Sequence, residues 1–134
     1  TKTKKPMVNI KKPKLKRILI AEDEKLMSKA LADQLTRAGF AIEVVYDGES
    51  ALNFLNKEKF DLILLDILMP KMNGLDVLKE LKSKGDETPV VILSNSSKEE
   101  TIKEAKMIGA KEYFVKSNIS LSEVTGAVKK ILNI

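Results

Sequence analysis

Short apolar segments alternate with amphipathic stretches along most of the chain, and this alternation limits the possible folds more than any other feature. The apolar segments end abruptly at polar residues and are predicted to be strands: Arg17–Ala21, Ala41–Tyr46, Asp61–Asp66, Val90–Ser94 and Glu112–Lys116. Each is followed by apolar residues at helical spacing. Five strands alternating with five helices predict an α/β fold, a doubly wound parallel sheet with right-handed crossovers and helices on both faces.

Local signals mark the ends of the predicted helices. The first helix carries an apolar stripe of Leu26, Ala30, Leu31 and Leu35. It stops at Gly39, a residue type common just past a helix end, and Asp47 is predicted to cap the second helix. Capping boxes are predicted for the fourth and fifth helices, formed by Ser97 with Glu100 and by Ser120 with Glu123.

Composition excludes several classes of function. The chain has 134 residues, 43% hydrophobic and 32% charged, as expected of one globular domain. It has no Cys and no His, which excludes disulfides, thiolate metal sites and imidazole acid–base chemistry. No apolar run approaches the roughly 20 residues of a membrane span, and the start has no signal-peptide core. We therefore expect a cytoplasmic protein that uses carboxylates, hydroxyls, Lys or Arg.

The positive charge is concentrated at the start of the chain. Residues 1–17 hold eight of the 24 basic residues and none of the 19 acidic ones, so the rest of the chain has a net charge of −3. We expect a flexible basic tail over residues 1–14 and one domain over residues 15–134. Such a tail can attract nucleic acid, but it has no aromatic residue to stack on bases. A linker is therefore the favoured interpretation, and nucleic acid an unlikely partner.

Polar residues follow four of the predicted strands. Glu22 and Asp23 follow the first, Asp66 ends the third, Ser94 the fourth and Lys116 the fifth. The carboxyl ends of parallel strands lie at one edge of the sheet, where ligands of such folds bind. These side chains are therefore predicted to converge.

Three carboxylates in one pocket repel each other unless a cation is present. Mg²⁺ binds one or two carboxylates together with a phosphate oxygen, and a carboxylate beside it can act as a nucleophile toward phosphorus. Ser94 and Lys116 can then contact phosphoryl oxygens. Each residue also has a simpler interpretation: Asp23 as a helix cap, Asp66 as a strand end, Ser94 as a turn residue, Lys116 as a solvated lysine and Tyr113 as a half-buried strand aromatic.

Four segments carry a resemblance to a known family. They are ILIAEDE, DLILLDILMPKMNGLDVL, PVVILS and GAKEYFVK, which occur in this order. From about Leu15 onward, the chain resembles the receiver domain of two-component response regulators. The resemblance implies a flavodoxin-like sheet of strand order 2-1-3-4-5, cofactor Mg²⁺, and a sensor histidine kinase or histidine phosphotransfer protein as partner. It implies a signalling switch rather than an enzyme.

The resemblance also implies a role for each site residue. Asp66 would be the phosphoacceptor, Asp23 the direct Mg²⁺ ligand, Glu22 the outer-sphere acid of the metal site, and Leu68 a metal ligand through its main-chain carbonyl. Ser94 and Lys116 would contact the phosphoryl group, and Tyr113 would change rotamer with Ser94. The surface formed by the fourth helix, fifth strand and fifth helix would switch and could form a homodimer.

Three positions depart from the family pattern. Ser117 follows Lys116 where the family usually has a proline in a cis peptide, and a cis bond before Ser costs roughly 2.5–4 kcal/mol. The Lys116–Ser117 bond is therefore expected to be trans, or cis with strain. Asn95 is larger than the usual residue after the hydroxyl and can narrow access to the pocket, and Leu68 cannot hydrogen-bond an attacking water.

Other functions are less well supported. A pseudo-receiver, a docking module of the same fold that is not phosphorylated, is the main alternative. A haloacid-dehalogenase-type phosphatase needs a second Asp where Leu68 stands, and a flavin protein needs a phosphate-binding loop where Glu22, Asp23 and Glu24 stand. No P-loop motif occurs. A DNA-binding output is not expected within this sequence.

Overall fold

The computed structural model describes residues 14–134, so almost all of the predicted basic tail lies outside the described residues. Five parallel strands form one sheet in the order β2-β1-β3-β4-β5, which confirms the predicted topology. The strands are β1 (Arg17–Ala21), β2 (Ala41–Val45), β3 (Leu62–Leu65), β4 (Val90–Ser94) and β5 (Glu112–Val115). The helices are α1 (Lys25–Arg37), α2 (Gly48–Lys57), α3 (Gly74–Ser83), α4 (Glu99–Ile108) and α5 (Leu121–Leu132).

The core consists of two apolar layers, one on each face of the sheet. Alternate residues of β1 point to opposite faces: Leu19 packs in the layer that contains Val77 of α3, and Ile20 in the layer that contains Leu35 of α1. All four residues of β3 are buried, as expected for a central parallel strand covered on both sides. The helices therefore fix the sheet from both faces and leave its carboxyl edge free for a site.

Most of the predicted helix signals are confirmed. Gly39 has φ +101°, the side chain of Asp47 accepts a hydrogen bond from the N–H of Ser50 at 2.7 Å, and Ser120 and Glu123 form a capping box. Asp23 does not cap α1, whose N-cap residue is Glu24. Leu26 is 87% exposed, so its place in the apolar stripe was a wrong prediction. It lies in the first turn of α1, at the open edge of the sheet.

The capping box predicted from Ser97 and Glu100 is wrong. The N-cap residue of α4 is Lys98, and no side chain caps this helix. The hydroxyls of Ser94 and Ser96 each accept a hydrogen bond from the N–H two residues further along, at 3.1 and 3.4 Å. Such local bonds compete with helix formation, which explains why α4 begins later than predicted.

Three of the predicted strands end one residue earlier than expected. Tyr46, Asp66 and Lys116 lie just beyond the ends of β2, β3 and β5, and Lys116 begins a short 3-10 turn, Lys116–Asn118. Within residues 14–134, every helix is too short or too polar to cross a membrane.

Candidate functional site

The pairing of β1 with β3 brings the first acidic residues of the site together. Ala21 and Leu65 are partners in the register, and the N–H of Asp66 donates to the carbonyl of Ala21 at 2.9 Å. Glu22 and Asp66, the next residues of their strands, are therefore neighbours. Carboxylate oxygens of Glu22, Asp23 and Asp66 all lie within 4.8 Å of one another. Glu22 and Asp66 are buried, while Asp23 is partly exposed.

Lys116 supplies the positive charge of the site. Its Nζ lies 2.6 Å from Oε1 of Glu22, 3.0 Å from Oε1 of Glu24 and 3.1 Å from Oδ2 of Asp66. The contact with Glu22 is a close ion pair between two buried side chains. One ammonium group therefore faces three carboxylates.

Burial dominates the proton affinities of the two buried acids. Burial raises the pKa of Glu22 to about 7, although the ammonium of Lys116 acts in the opposite direction. Burial also raises the pKa of Asp66, again opposed by Lys116. Burial alone would lower the pKa of Lys116, but its carboxylate partners outweigh that effect and raise it. A buried carboxyl with a raised pKa beside a fixed cation is typical of functional sites.

The backbone around Asp66 is held closely. Oδ1 of Asp66 accepts a hydrogen bond from the N–H of Ile67 at 2.8 Å, and the N–H of Gly74 donates to the carbonyl of Ile67 at 2.7 Å. A Cβ on Gly74 would lie 2.0 Å from the carbonyl oxygen of Asp66. The first residue of α3 therefore has to be glycine if the segment after β3 is to turn beside it.

Ser94 and Tyr113 meet at the loop after β4. Ser94 is fully buried, and its Oγ accepts a hydrogen bond from the N–H of Ser96 at 3.1 Å. The hydroxyl of Tyr113 donates to the carbonyl of the same Ser96 at 2.7 Å. Tyr113 is 9% exposed and belongs to the core, so it is more buried than the simpler interpretation predicted. Ser96 thus joins the two side chains.

The positions that depart from the family pattern all lie near the pocket. The Lys116–Ser117 peptide bond is trans, as are the other peptide bonds of the described chain. Leu68 has a side chain that is 69% exposed. Leu68, Ser94 and Asn95 line a cleft of about 600 Å³ between the loops that follow β3 and β4.

A family model for the response regulator receiver domain matches residues 18–129. The chain belongs to this family. The match confirms the resemblance predicted from the sequence. Receiver domains are signalling switches rather than enzymes with a substrate to turn over.

Named relatives and solved structures agree with this assignment. The transcriptional regulatory protein DltR of Streptococcus agalactiae is 35% identical over 100 residues, 75% of this chain and 45% of DltR. The Mn²⁺-bound response regulator Rcp1 superposes with a TM-score of 0.78 at 30% identity, over 85% of this chain and 92% of Rcp1. The phosphorylated cyanobacterial phytochrome response regulator RcpA gives a TM-score of 0.75 at 32% identity, over 88% of this chain and 91% of RcpA. The chain spans about half the length of DltR.

The acidic pocket of this receiver domain fits the divalent cation that the family binds. Its donors are carboxylate oxygens, the ligand type that Mg²⁺ prefers. Glu22, Asp23 and Asp66 are the residues that can hold the ion.

Glu24 is the site residue that the sequence analysis did not identify. Its carboxylate accepts a hydrogen bond from Lys116, 92 residues away. The only sequence signal is a third acid directly after Glu22 and Asp23, and nothing local distinguishes it from a helix-terminal acid.

Proposed function

We propose that Asp66 of this receiver domain accepts a phosphoryl group from a phosphohistidine on a sensor histidine kinase or histidine phosphotransfer protein, in a reaction that requires Mg²⁺. One observation supports this proposal above the others. The buried carboxylate of Asp66 lies 3.1 Å from the ammonium of Lys116 and within 4.8 Å of the carboxylate oxygens of Glu22 and Asp23. A nucleophile, a phosphate-binding cation and metal ligands thus share one small pocket.

The proposed transfer exchanges one bond to phosphorus for another. A carboxylate oxygen of Asp66 forms a bond to phosphorus while the P–N bond to the donor imidazole breaks. The imidazole leaves with the electron pair and takes a proton from solvent. The chemistry depends on positioning and charge compensation rather than on a general base, which suits a chain without histidine.

Each charged residue has a proposed role in that step. Glu22, Asp23, Asp66 and the main-chain carbonyl of Leu68 would hold the ion, which supplies compensation for the negative charge of the carboxylates and phosphoryl oxygens. One N–H of Lys116 would exchange its hydrogen bond to Oδ2 of Asp66 for a hydrogen bond to a phosphoryl oxygen. The ion pairs of Lys116 with the buried carboxylates of Glu22 and Asp66 place the ammonium beside the site of that exchange.

Ser94 and Tyr113 would transmit the effect of phosphorylation from Asp66 to the surface. Oγ of Ser94 accepts from Ser96, and among residues 14–134 its own O–H has no acceptor, so it can donate to a phosphoryl oxygen. Movement of Ser94 would pull on Ser96, whose carbonyl holds the hydroxyl of Tyr113. The face formed by α4, β5 and α5 would respond, and a homodimer through this face is one possible readout.

The experiment is intact-mass analysis after incubation with a small phosphodonor such as acetyl phosphate. We expect the wild type to gain one phosphoryl group with Mg²⁺, and to gain none when the cation is chelated. Asp66→Asn should gain none under either condition, whereas Asp61→Asn, which removes an acid at the other end of β3, should behave as the wild type. A wild type that stays unmodified beside a reactive control receiver would contradict the proposal.

The pseudo-receiver alternative has only the departures at Asn95 and Ser117 in its favour. The acidic residues, Ser94 and Lys116 are all present, and the described site brings Asp66 into contact with Lys116. The same experiment decides between the two, because a pseudo-receiver would not react with the phosphodonor.

A further inference from the structure

Glu24 occupies the cap position of a helix but does not cap it. It is the N-cap residue of α1 with extended backbone angles, and its side chain makes no hydrogen bond to the first turn. The side chain of Ser, Thr, Asp or Asn at this position normally accepts a hydrogen bond from a main-chain N–H of that turn. Oε1 of Glu24 instead accepts from Nζ of Lys116 at 3.0 Å. The side chain of Glu24 therefore contributes to the site and not to the helix end.

Glu24 also closes a ring of contacts around the pocket. Its main-chain N–H donates to Oε2 of Glu22 at 3.0 Å, and Oε1 of Glu22 lies 2.6 Å from Nζ of Lys116. Glu24 therefore orients Glu22 through its backbone and Lys116 through its side chain. The ammonium lies 3.0 Å from Glu24 and 3.1 Å from Asp66.

The three partners of Lys116 differ in how easily they can be exchanged. A lysine ammonium has three N–H donors, and three carboxylates face this one. Glu22 and Asp66 are nearly inaccessible, with side-chain exposures of 2% and 6%, whereas the side chain of Glu24 is 58% exposed. Water can replace Lys116 around an exposed carboxylate, so Glu24 is the partner that Lys116 can leave at least cost.

We propose that Glu24 is a positioning residue that holds the ammonium of Lys116 in the unphosphorylated domain and releases it to the phosphoryl group. The proposal rests on the proposed function of Asp66. The Glu24–Lys116 contact would stabilise only the unphosphorylated state. Its removal therefore shifts the balance toward the state in which Lys116 contacts an anion. Glu24 would thus set how readily the domain responds.

The first test measures affinity for beryllofluoride, an anionic mimic of the phosphoryl group, in the presence of Mg²⁺. We expect Glu24→Gln to bind it about two- to fivefold more tightly than the wild type, the range expected from losing one exposed ion pair. Glu24→Asp keeps the charge but has a shorter side chain, and should tighten binding to a similar degree. Asp33→Asn, an exposed acid of α1 paired with Lys29, should bind as the wild type does.

The second test follows Lys116 without any bound anion. Acetylation of Lys116 by an amine-reactive ester, quantified by peptide mass spectrometry, should be about two- to fivefold faster in Glu24→Gln and in Glu24→Asp, and unchanged in Asp33→Asn. Equal acetylation rates in wild type and Glu24→Gln would overturn the inference. So would wild-type beryllofluoride affinity in Glu24→Asp, because charge alone would then explain any effect of Gln. Failure of the wild type to accept a phosphoryl group would overturn the proposed function instead, and the acetylation rates would still report on Glu24.

Discussion

At the scale of single residues, Asp66 is positioned by backbone as much as by charge. Its N–H, its Oδ1 and the carbonyl of the next residue each form a hydrogen bond with a main-chain atom. Gly74 approaches the carbonyl of Asp66 so closely that no side chain fits between them. The carboxylate proposed as the nucleophile is therefore held in place by backbone contacts, which is what a reaction driven by positioning needs.

Gly74→Ala should disturb this arrangement. The added Cβ would overlap buried backbone at Asp66, so we expect the free energy of unfolding to fall by about 1–3 kcal/mol, as for overpacking elsewhere. The measurement is urea unfolding. The matched control is Gly126→Ala in α5, where a Cβ meets nothing within 4 Å, and which should be stabilised by about 0.5–1 kcal/mol. Equal changes in both variants would contradict the close approach.

Glu22 gives the domain a pH dependence of stability. Its pKa is about 7 in the folded chain and about 4.3 when unfolded, so the folded state holds the proton more firmly. The stabilisation is complete below the unfolded pKa and is lost as the pH rises through about 7. With divalent cations chelated, raising the pH from about 6 to about 8 should lower the free energy of unfolding by roughly 1 kcal/mol more in wild type than in Glu22→Gln. Identical pH dependence in urea unfolding would contradict the raised pKa.

At the scale of elements, the helix starts differ in how they are stabilised. Ser120 and Glu123 close a capping box at α5, whereas α4 begins at Lys98 without a side-chain cap. Ser120 therefore stabilises the start of α5 through a side-chain hydrogen bond, whereas Ser97 makes no such bond at the start of α4.

The matched pair Ser120→Ala and Ser97→Ala tests this difference. Loss of the Ser120 hydroxyl should cost about 1 kcal/mol in thermal or urea unfolding. Loss of the Ser97 hydroxyl should change the free energy of unfolding by less than about 0.5 kcal/mol. A larger cost at Ser97 would show that α4 is capped as the sequence pattern predicted.

The helices and strands could be predicted from the sequence because the spacing of their apolar residues is local. The segment DLILLD, for example, was predicted to be a strand covered on both faces. The features that the sequence did not predict depend on contacts between residues distant in the chain or on competing hydrogen bonds. The start of α4 is decided by the hydroxyls of Ser94 and Ser96, and the exposure of Leu26 by its place at the open edge of the sheet. The contact of Glu24 with Lys116 joins residues 92 apart, and no local spacing predicts it.

At the scale of the whole molecule, the domain resembles one part of longer regulators. The matched region covers 45% of DltR. A groove of about 550 Å³ between β5 and α5, bordered by Lys111, Phe114 and Lys130, lies on the face proposed to switch. The site and this face are both within residues 14–134, which makes the response a property that the isolated domain can be tested for.

The central claim is that Asp66 itself becomes phosphorylated, and borohydride reduction followed by peptide mass spectrometry tests it most directly. Borohydride converts an aspartyl phosphate to homoserine at the residue that carried the phosphoryl group. After treatment with phosphodonor and Mg²⁺, we predict homoserine at position 66 and intact Glu22 and Asp23. Reduction at either of those two acids, or at no acid of a domain shown by intact mass to be phosphorylated, would contradict the account.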